Sequence, residues 1–122
     1  MADYPEQPGT NQHPLTGKIT DISTAGQEYW AAPFRGKVLF YQSCLHGAIS
    51  GADATLTLKI NGTAVTGGTV TVANSGSAAG DVDLAEPTAL NEFDKGDAIE
   101  IETDGASTGT TAASLTVWVA VT

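Results

Sequence analysis

The sequence predicts an all-β protein made of one domain. Its 122 residues are rich in Gly, Ala, Thr and Val, and 41% of them are apolar, which is enough for a core and unlike a disordered chain. Several segments alternate apolar and polar residues, as strands with one face in water do. Dipeptides with the chemistry of tight turns, such as Asn61-Gly62, separate these segments. Together these observations predict antiparallel strands joined by turns.

Residues 1 to 27 differ from the rest of the chain. They are polar and show no sustained strand or helix period, apart from a short strand predicted at Lys18 to Ser23. They also include three prolines, Pro5, Pro8 and Pro14. We interpret this segment as an extended N-terminal arm that becomes ordered on a partner, and residues 28 to 122 as the β domain. A floppy terminus is the alternative for such a composition.

The first strand of the domain is predicted in EYWAAPF. Three large aromatic residues, Tyr29, Trp30 and Phe34, surround Pro33 in this segment. Proline cannot donate a hydrogen bond to a neighbouring strand, which restricts it to edges and strand ends. We therefore expect the segment to lie at the border of a sheet.

The next segment, GKVLFYQSCLHG, is apolar on both faces of the predicted strand. One set of alternate positions carries Val38, Phe40, Cys44 and His46, and the other carries Leu39, Tyr41 and Leu45. A strand of an antiparallel sandwich normally has one face on the core and the other in water, so the second face needs a cover. The cover is either the N-terminal arm or a loop of the same chain, or a neighbouring subunit. The sequence leaves both open.

The segment TLTLKINGTAVTGGTVTVA contains two dipeptides that tolerate positive φ, Asn61-Gly62 and Gly67-Gly68. A register built on hairpin turns at both puts six apolar side chains on one face: Leu56, Leu58, Ile60, Val65, Val70 and Val72. The other face is polar: Thr57, Lys59, Thr66, Thr69 and Thr71. A slip of one residue would invert both sets, so the pattern fixes the pairing. Because the middle strand would have only four residues, a bulge at Gly67-Gly68 is the alternative.

Alternation predicts two further strands. In GDVDLA, Val82 and Leu84 are expected to face inward, and Asp81 and Asp83 outward. In the final SLTVWVAV, the inward set is Leu115, Val117, Val119 and Val121, and the outward set is Thr116, Trp118 and Ala120. An outward Trp is a candidate interface anchor, because Trp is enriched among residues that carry binding energy. Cover by the arm and ordinary exposure are the other interpretations.

An acidic stretch, NEFDKGDAIEIETDG, raises the question of a metal or catalytic site. Its isoleucines, Ile99 and Ile101, alternate with Glu100 and Glu102, which predicts a half-buried strand whose carboxylates face water. The Asp and Gly residues on either side have turn composition. The spacing is not that of an EF-hand loop. Neighbouring acids on a wet face also differ from the two carboxylates that a glycosidase holds across a cleft.

Other chemistry is not indicated either. The chain has one cysteine, Cys44, and two histidines, so it lacks the usual ligands for a zinc site. Cys44 and His46 lie two residues apart on a strand and point in parallel, so they do not form a nucleophile and base pair. We therefore predict no enzymatic activity, no catalytic residue, no metal and no cofactor.

The net charge restricts the partners. Fourteen acidic residues against five basic ones give a formal charge of −9. Such a surface repels phosphate, so we expect neither nucleic acid nor a membrane as a partner. No apolar run approaches the roughly 20 residues of a spanning helix, and the first residues lack the features of a signal peptide. A lone cysteine cannot form an internal disulfide, which agrees with assembly in a reducing compartment.

The order of these segments resembles the small capsid decoration, or cement, proteins of tailed bacteriophages. The resemblance covers most of residues 28 to 122 and rests on YWAAPF, RGKVLFYQSCL, GADATLTLKING and FDKGDAIEIETDG, followed by VWVAV. It implies a jelly-roll-like β-sandwich, usually a homotrimer, that clamps adjacent major capsid proteins on the outer capsid surface. It also implies synthesis in the host cytoplasm and a place in the virion. Three successive short strands joined by tight turns would be a departure, because they are more meander than Greek key.

The hypothesis from the sequence is that the arm and the large aromatic residues contact other subunits or the capsid. The candidate contact residues are Tyr4, Pro5, Pro8, Tyr29, Trp30, Phe34, Leu39, Tyr41 and Trp118. The competing interpretation is a carbohydrate-binding or adhesin-like sandwich, for instance a module of a phage fibre. In that case Tyr29, Trp30 or Trp118 would stack on a sugar ring.

Overall fold

The computed structural model describes residues 11–122, and these residues form nine β-strands and no helix. In chain order the strands are β1 (Gln12–Ile19), β2 (Gly26–Ala31), β3 (Gly36–Leu45), β4 (Ala54–Ile60), β5 (Thr63–Val72), β6 (Val82–Ala85), β7 (Glu92–Phe93), β8 (Ala98–Thr103) and β9 (Ala113–Val121). The all-β prediction is confirmed.

The strands form two antiparallel sheets that pack face to face. Sheet A has the order β1-β9-β3-β6, with the two-residue strand β7 paired to β3, and sheet B has the order β2-β8-β4-β5. With β7 set aside, each sheet has four strands, and β4 and β5 are the only consecutive strands that stay in one sheet. All other connections cross between the sheets, as in a jelly roll. The predicted jelly-roll-like antiparallel β-sandwich is thus confirmed.

The core lies between the two sheets and is built from alternate residues of each strand. Its fully buried aliphatic side chains come from both sheets: Val38, Leu45, Leu56, Leu58, Val72, Ile99, Ile101, Leu115, Val117 and Val119. Tyr41 is the large polar exception, and its hydroxyl group lies 2.8 Å from the carbonyl oxygen of Gly68 and 3.1 Å from that of Leu56. Burial raises the pKa of this phenol.

The hairpin at Asn61-Gly62 is confirmed. Asn61 has φ 51° and Gly62 has φ 83°, the left-handed pair that a two-residue turn between β4 and β5 requires. The side-chain oxygen of Asn61 also accepts a hydrogen bond from the backbone N–H of Ala98, at 2.9 Å, which ties the turn to β8. The turn is therefore fixed both by its backbone and by the neighbouring strand.

The prediction of a second hairpin turn at Gly67-Gly68 is wrong. The alternative prediction, a bulge at these residues, is confirmed. Strand β5 continues through Gly67, which has φ 78°. Thr57 pairs with Thr69 while Lys59 pairs with Ala64, so only Leu58 stands opposite residues 65 to 68. The predicted inward set of this hairpin is nevertheless buried: Leu56, Leu58, Ile60, Val65, Val70 and Val72.

The part of the predicted arm that the structure describes belongs to the sandwich. Strand β1 spans Gln12–Ile19 and pairs with β9 along its whole length, whereas the sequence predicted only a short strand at Lys18 to Ser23. Its alternation is weak because it is an edge strand in which half of the residues are exposed and only Ile19 is buried. Pro14 is tolerated there because an edge strand does not need every N–H. Residues 1–10 lie outside the described residues.

Strand β2 forms an edge of sheet B, as predicted from Pro33. Strand β8 next to it has Ile99 and Ile101 fully buried, which confirms the predicted inward set of the acidic stretch. Glu102 is half-buried on the outer face of the sheet. Glu100, however, is only 7% exposed, so the prediction that both carboxylates face water is wrong for this residue.

Candidate interaction surface

A bulge in β3 decides which of its side chains face outward. Val38 pairs with Val119 but Phe40 pairs with the preceding residue of β9, Trp118, so Leu39 is an extra residue in the strand. After the bulge the inward set is Tyr41, Ser43 and Leu45, and the outward set is Phe40, Gln42 and Cys44. The bulge explains why the sequence looked apolar on both faces. Before the bulge the core-facing set contains Val38, and after it the core-facing set is the other one, which contains Tyr41 and Leu45.

Phe40 and Trp118 lie side by side on the outer face of sheet A. Their ring centroids are 6.3 Å apart and the ring planes meet at 27°, which is a stacked arrangement. Both side chains are half-buried, and each ring covers part of the other. The prediction that Trp118 faces outward is confirmed. Val121, predicted inward on the same strand, is exposed at the strand end.

Strand β6 extends this apolar area, contrary to the sequence prediction. Leu84 pairs with Gln42 and Val82 pairs with Cys44, so both apolar side chains share the outer face and are 52% and 57% exposed. Apolar and acidic residues alternate as predicted, but the apolar residues face outward, where the prediction had them facing inward. The register on β3 turns Asp83 toward Ser43 and the inner side of the sheet edge. Burial, followed by repulsion from Asp81, raises the pKa of Asp83.

We name this area the sheet A outer face and define it by Phe40, Cys44, Val82, Leu84 and Trp118. Within residues 11–122, the outward positions of β3, β6 and β9 carry no carboxylate. These positions are Phe40, Gln42, Cys44, Val82, Leu84, Ser114, Thr116, Trp118 and Ala120, together with Lys37, which pairs with Ala120 at the border of the area. The area is therefore apolar to weakly polar on a molecule whose formal charge is −9.

Two predicted contact residues near β2 have separate positions. Tyr29 lies on the outer face of sheet B and is 59% exposed. Trp30 turns to the inner side of the same strand, packs against the core, and donates a hydrogen bond from Nε1 to the carbonyl oxygen of Thr16 at 3.0 Å. Trp30 therefore joins the edges of the two sheets, because Thr16 belongs to β1.

Phe34 also packs against the core. Its ring lies 5.2 Å from the ring of His13 and 6.3 Å from that of Phe93, measured between centroids. These contacts close the sandwich near the start of β3. Phe34 is half-buried, so only part of its ring is available to a partner.

The remaining candidates divide into buried, half-buried and undescribed residues. Tyr41 is fully buried and donates to backbone carbonyls, so it is not a contact residue in the folded protein. Leu39 is half-buried at the bulge. Three further candidates lie outside the described residues: Tyr4, Pro5 and Pro8. Of the six candidates within residues 11–122, the structure brings only Trp118 onto the sheet A outer face.

Sequence reasoning missed Phe40, Val82 and Leu84 as surface residues. No local signal marks the bulge that turns Phe40 outward, because a bulge depends on the partner strand. For Val82 and Leu84 the alternation is a signal, but it does not say which of its two sets faces the core. The strand is short, and a short strand at a sheet edge can expose its apolar residues without disturbing the core.

Several acidic and histidine side chains of the described residues take part in local hydrogen bonds. Within residues 11–122, no group of three or more His, Cys, Asp or Glu side chains is close enough to bind a metal ion. The carboxylate of Asp97 accepts a hydrogen bond from the backbone N–H of Asp94 at 2.8 Å, which lowers its pKa and closes the turn before β8. His46 is exposed, and its Nε2 atom lies 2.7 Å from Oγ of Ser114.

Residues 11–122 contain no helix with the length and apolar character needed to span a membrane. The chain matches no protein-family model, and no curated protein is significantly similar to it. Its function must therefore be inferred from its fold and its surface.

Proposed function

We propose that this chain is a capsid decoration, or cement, protein of a tailed bacteriophage. In this role it binds the outer surface of the phage head and stabilises contacts between major capsid proteins. The observation that carries the proposal is the sheet A outer face, where stacked aromatic rings and exposed aliphatic side chains form one area without carboxylates. Exposed apolar areas of this kind mark surfaces that bind other proteins.

The chemistry of this surface favours a protein partner. Trp and Phe are enriched at the centre of protein interfaces, and charged residues are depleted there. The remaining surface is acidic, which keeps the chain soluble before assembly and away from packaged DNA. A protein that acts by surface complementarity needs no catalytic or metal group.

The proposal includes a second copy of the chain as well as the major capsid protein. A homotrimer would cover apolar side chains of one subunit with those of another, and the capsid would take the remaining contacts. The exposed apolar side chains of the sheet A outer face and the resemblance to decoration proteins are the grounds for this arrangement. The native mass of the purified chain tests it, measured with and without calcium. A trimer in both conditions would support it, whereas a calcium-dependent mass would require a metal site.

Co-sedimentation with phage heads tests the binding surface. We would measure the occupancy of heads, assembled without decoration protein from the phage that encodes this chain, by wild type and two variants. Leu84→Ser changes the sheet A outer face, and Leu90→Ser makes the same change at an exposed leucine elsewhere. We expect Leu84→Ser to lower the occupancy at least several-fold and Leu90→Ser to leave it unchanged. Equal occupancy by both variants would contradict the proposed surface.

The arm needs a separate test. Strand β1 begins at Gln12, so a deletion that tests the arm without cutting the sandwich must stop before this residue. Deletion of residues 2 to 10 removes three candidate contacts, Tyr4, Pro5 and Pro8. We expect the deletion to lower the occupancy of phage heads. Unchanged occupancy would remove the arm from the proposal and leave the sheet A outer face as the contact surface.

The alternative function, carbohydrate binding, requires an exposed ring beside hydrogen-bonding groups. Trp30 is engaged with β1, and Trp118 is stacked on Phe40, so Tyr29 is the aromatic residue most available to a sugar. Saturable binding of a soluble sugar that is lost in Tyr29→Ala would favour this alternative. Binding to phage heads without binding to any sugar would favour the function of a decoration protein.

A further inference from the structure

Three side chains form a row across the outer face of sheet B. Tyr29 of β2 pairs with Glu100 of β8, and Glu100 pairs with Lys59 of β4. Gln27 and Glu102 form the next row on the same two strands, β2 and β8. This face lies on the opposite side of the sandwich from the sheet A outer face, so a binding site on it is independent of the proposed function.

The charges in these rows do not balance. Nζ of Lys59 lies 2.7 Å from Oε1 of Glu102, and the other carboxylate oxygen of Glu102 accepts a hydrogen bond from Gln27 at 3.4 Å. The side chain of Glu100 has no hydrogen bond or ion pair with any of residues 11–122. These rows contain two carboxylates and one ammonium group, and Glu100 is the carboxylate without a direct partner among residues 11–122.

Glu100 is nearly buried but not fully enclosed. The residue is only 7% exposed. In the described part of the chain, the fully enclosed side-chain atoms without a partner are Ser43 Oγ and Ser107 Oγ. The oxygens of Glu100 are not among them. A nearly buried carboxylate is normally paired, because an uncompensated charge is costly in such a place. Glu100 thus holds a carboxylate that has no partner among residues 11–122 and whose oxygens are not fully enclosed.

The chemistry of this position selects a cation with a flat apolar face. A free carboxylate pairs with a guanidinium group through two parallel hydrogen bonds, and the guanidinium plane stacks on an aromatic ring. Tyr29, 59% exposed and directly opposite Glu100 on the neighbouring strand, supplies that ring. A neutral sugar would leave the negative charge of Glu100 uncompensated. A bare metal ion would need more ligands than this row provides.

We propose that Tyr29 and Glu100 form a docking site for an arginine side chain of a partner protein. The guanidinium group stacks on the ring of Tyr29 and pairs with the carboxylate of Glu100. Lys59 stays with Glu102, which keeps the second carboxylate from competing for the ligand. The formal charge of −9 attracts a basic segment to this face over longer distances.

An NMR titration of the full-length, isotopically labelled chain tests this proposal. The probes are N-acetyl-arginine amide, N-acetyl-lysine amide and methyl glucoside. We expect saturable shifts of the backbone amide signals of Tyr29, Lys59 and Glu100 with the arginine probe, at concentrations of about 1 mM or above, as for a single-residue ligand. The lysine probe should bind several-fold more weakly, and the glucoside should give no saturable shift.

Variants distinguish arginine binding at this site from general attraction of a cation to an acidic protein. Glu100→Gln should weaken arginine binding by about tenfold, the loss expected when a charge-assisted contact is removed. Glu86→Gln removes the same charge at an exposed position and should change binding little. Tyr29→Phe keeps the ring and should bind as wild type, whereas Tyr29→Ala should bind several-fold more weakly.

Several outcomes would overturn the proposal. They are a shift that does not saturate with arginine, equal binding by Glu100→Gln and wild type, and equal binding of the lysine probe. Preference for methyl glucoside would also overturn it and would assign the face to carbohydrate. If Glu100→Gln fails to fold, Tyr29→Ala decides, because its side chain is mostly exposed. Arginine binding by Tyr29→Ala as tight as that of wild type would then reject the site.

Discussion

The hydroxyl group of Tyr41 donates from inside the core to the carbonyl oxygen of Gly68, over 2.8 Å. Gly68 belongs to the bulge of β5, where the backbone leaves its regular pairing with β4. The carbonyl oxygen of Leu56, 3.1 Å from the same hydroxyl, shares the proton. One buried side chain on sheet A thereby stabilises an irregular segment of sheet B.

Tyr41→Phe tests this relationship. The substitution keeps the ring in the core but leaves two buried carbonyl oxygens without their donor. Because a buried polar group without a partner costs about 1–3 kcal/mol, we expect the free energy of unfolding to fall by about that amount. Urea denaturation measures the change. Tyr29→Phe removes an exposed hydroxyl and should change stability little, so an equal effect of both variants would contradict the role of Tyr41.

Gly36 lies where β3 passes close to the backbone of β9. A Cβ atom added at this residue would collide with the carbonyl oxygen of Ala120 and would lie 3.2 Å from the ring of Phe34. Backbone cannot move aside as a flexible side chain can. We expect Gly36→Ala to lower the free energy of unfolding by about 1–3 kcal/mol, the usual cost of overpacking.

Gly26→Ala is the matched control for this prediction. The nearest atom to a Cβ at Gly26 is the carbonyl oxygen of Thr24 at 3.7 Å, an ordinary contact. Its stability in urea should stay close to that of wild type. A loss of stability at Gly26 as large as at Gly36 would show that the collision with Ala120 does not determine the effect.

The sequence predicted those parts of the fold that depend on local chemistry. Asn61-Gly62 specifies a turn because few other residues accept positive φ at both positions. The inward isoleucines of β8 follow from alternation alone. The strands that alternate most regularly, β4, β8 and β9, were therefore predicted most accurately, apart from the exposure of Glu100 and of Val121.

The features that define the candidate surfaces depend on partners distant in the sequence. Leu39 became the extra residue of a bulge because of how β3 pairs with β9. The phase of Val82 and Leu84 was set by the register of β6 on β3. Strand β1 forms along β9, although its own alternation is too weak to predict it. None of these pairings is encoded within the segment that it affects.

Leu90 occupies a conformation that few side chains adopt. Its φ is 58°, in the left-handed region, and its side chain is 65% exposed, so it gains little burial in return. This region costs a non-glycine residue about 1–2 kcal/mol, and Asn tolerates it best among them. We expect Leu90→Asn to raise the free energy of unfolding by about 1 kcal/mol in urea. A loss of stability would show that Leu90 makes contacts that outweigh the strain.

Asp83 provides a prediction for the dependence of stability on pH. Burial and, secondarily, the negative charge of Asp81 raise its pKa in the folded protein. In the unfolded chain the pKa returns to about 4. The folded state therefore disfavours the ionised carboxylate, and the favourable contribution present at low pH is lost as the pH rises through the folded pKa. We expect Asp83→Asn to be more stable than wild type at pH 7.

This gain should disappear when the pH falls below about 4, because Asp83 is then protonated in both states. Urea denaturation at pH 7 and at about pH 3.5 measures the two differences between Asp83→Asn and wild type. Glu86→Gln removes one charge from an exposed position and separates this effect from the reduction of net charge. A gain for Asp83→Asn at pH 7 no larger than that for Glu86→Gln would assign the effect to general repulsion. A gain that persists at low pH would instead indicate better packing of the amide.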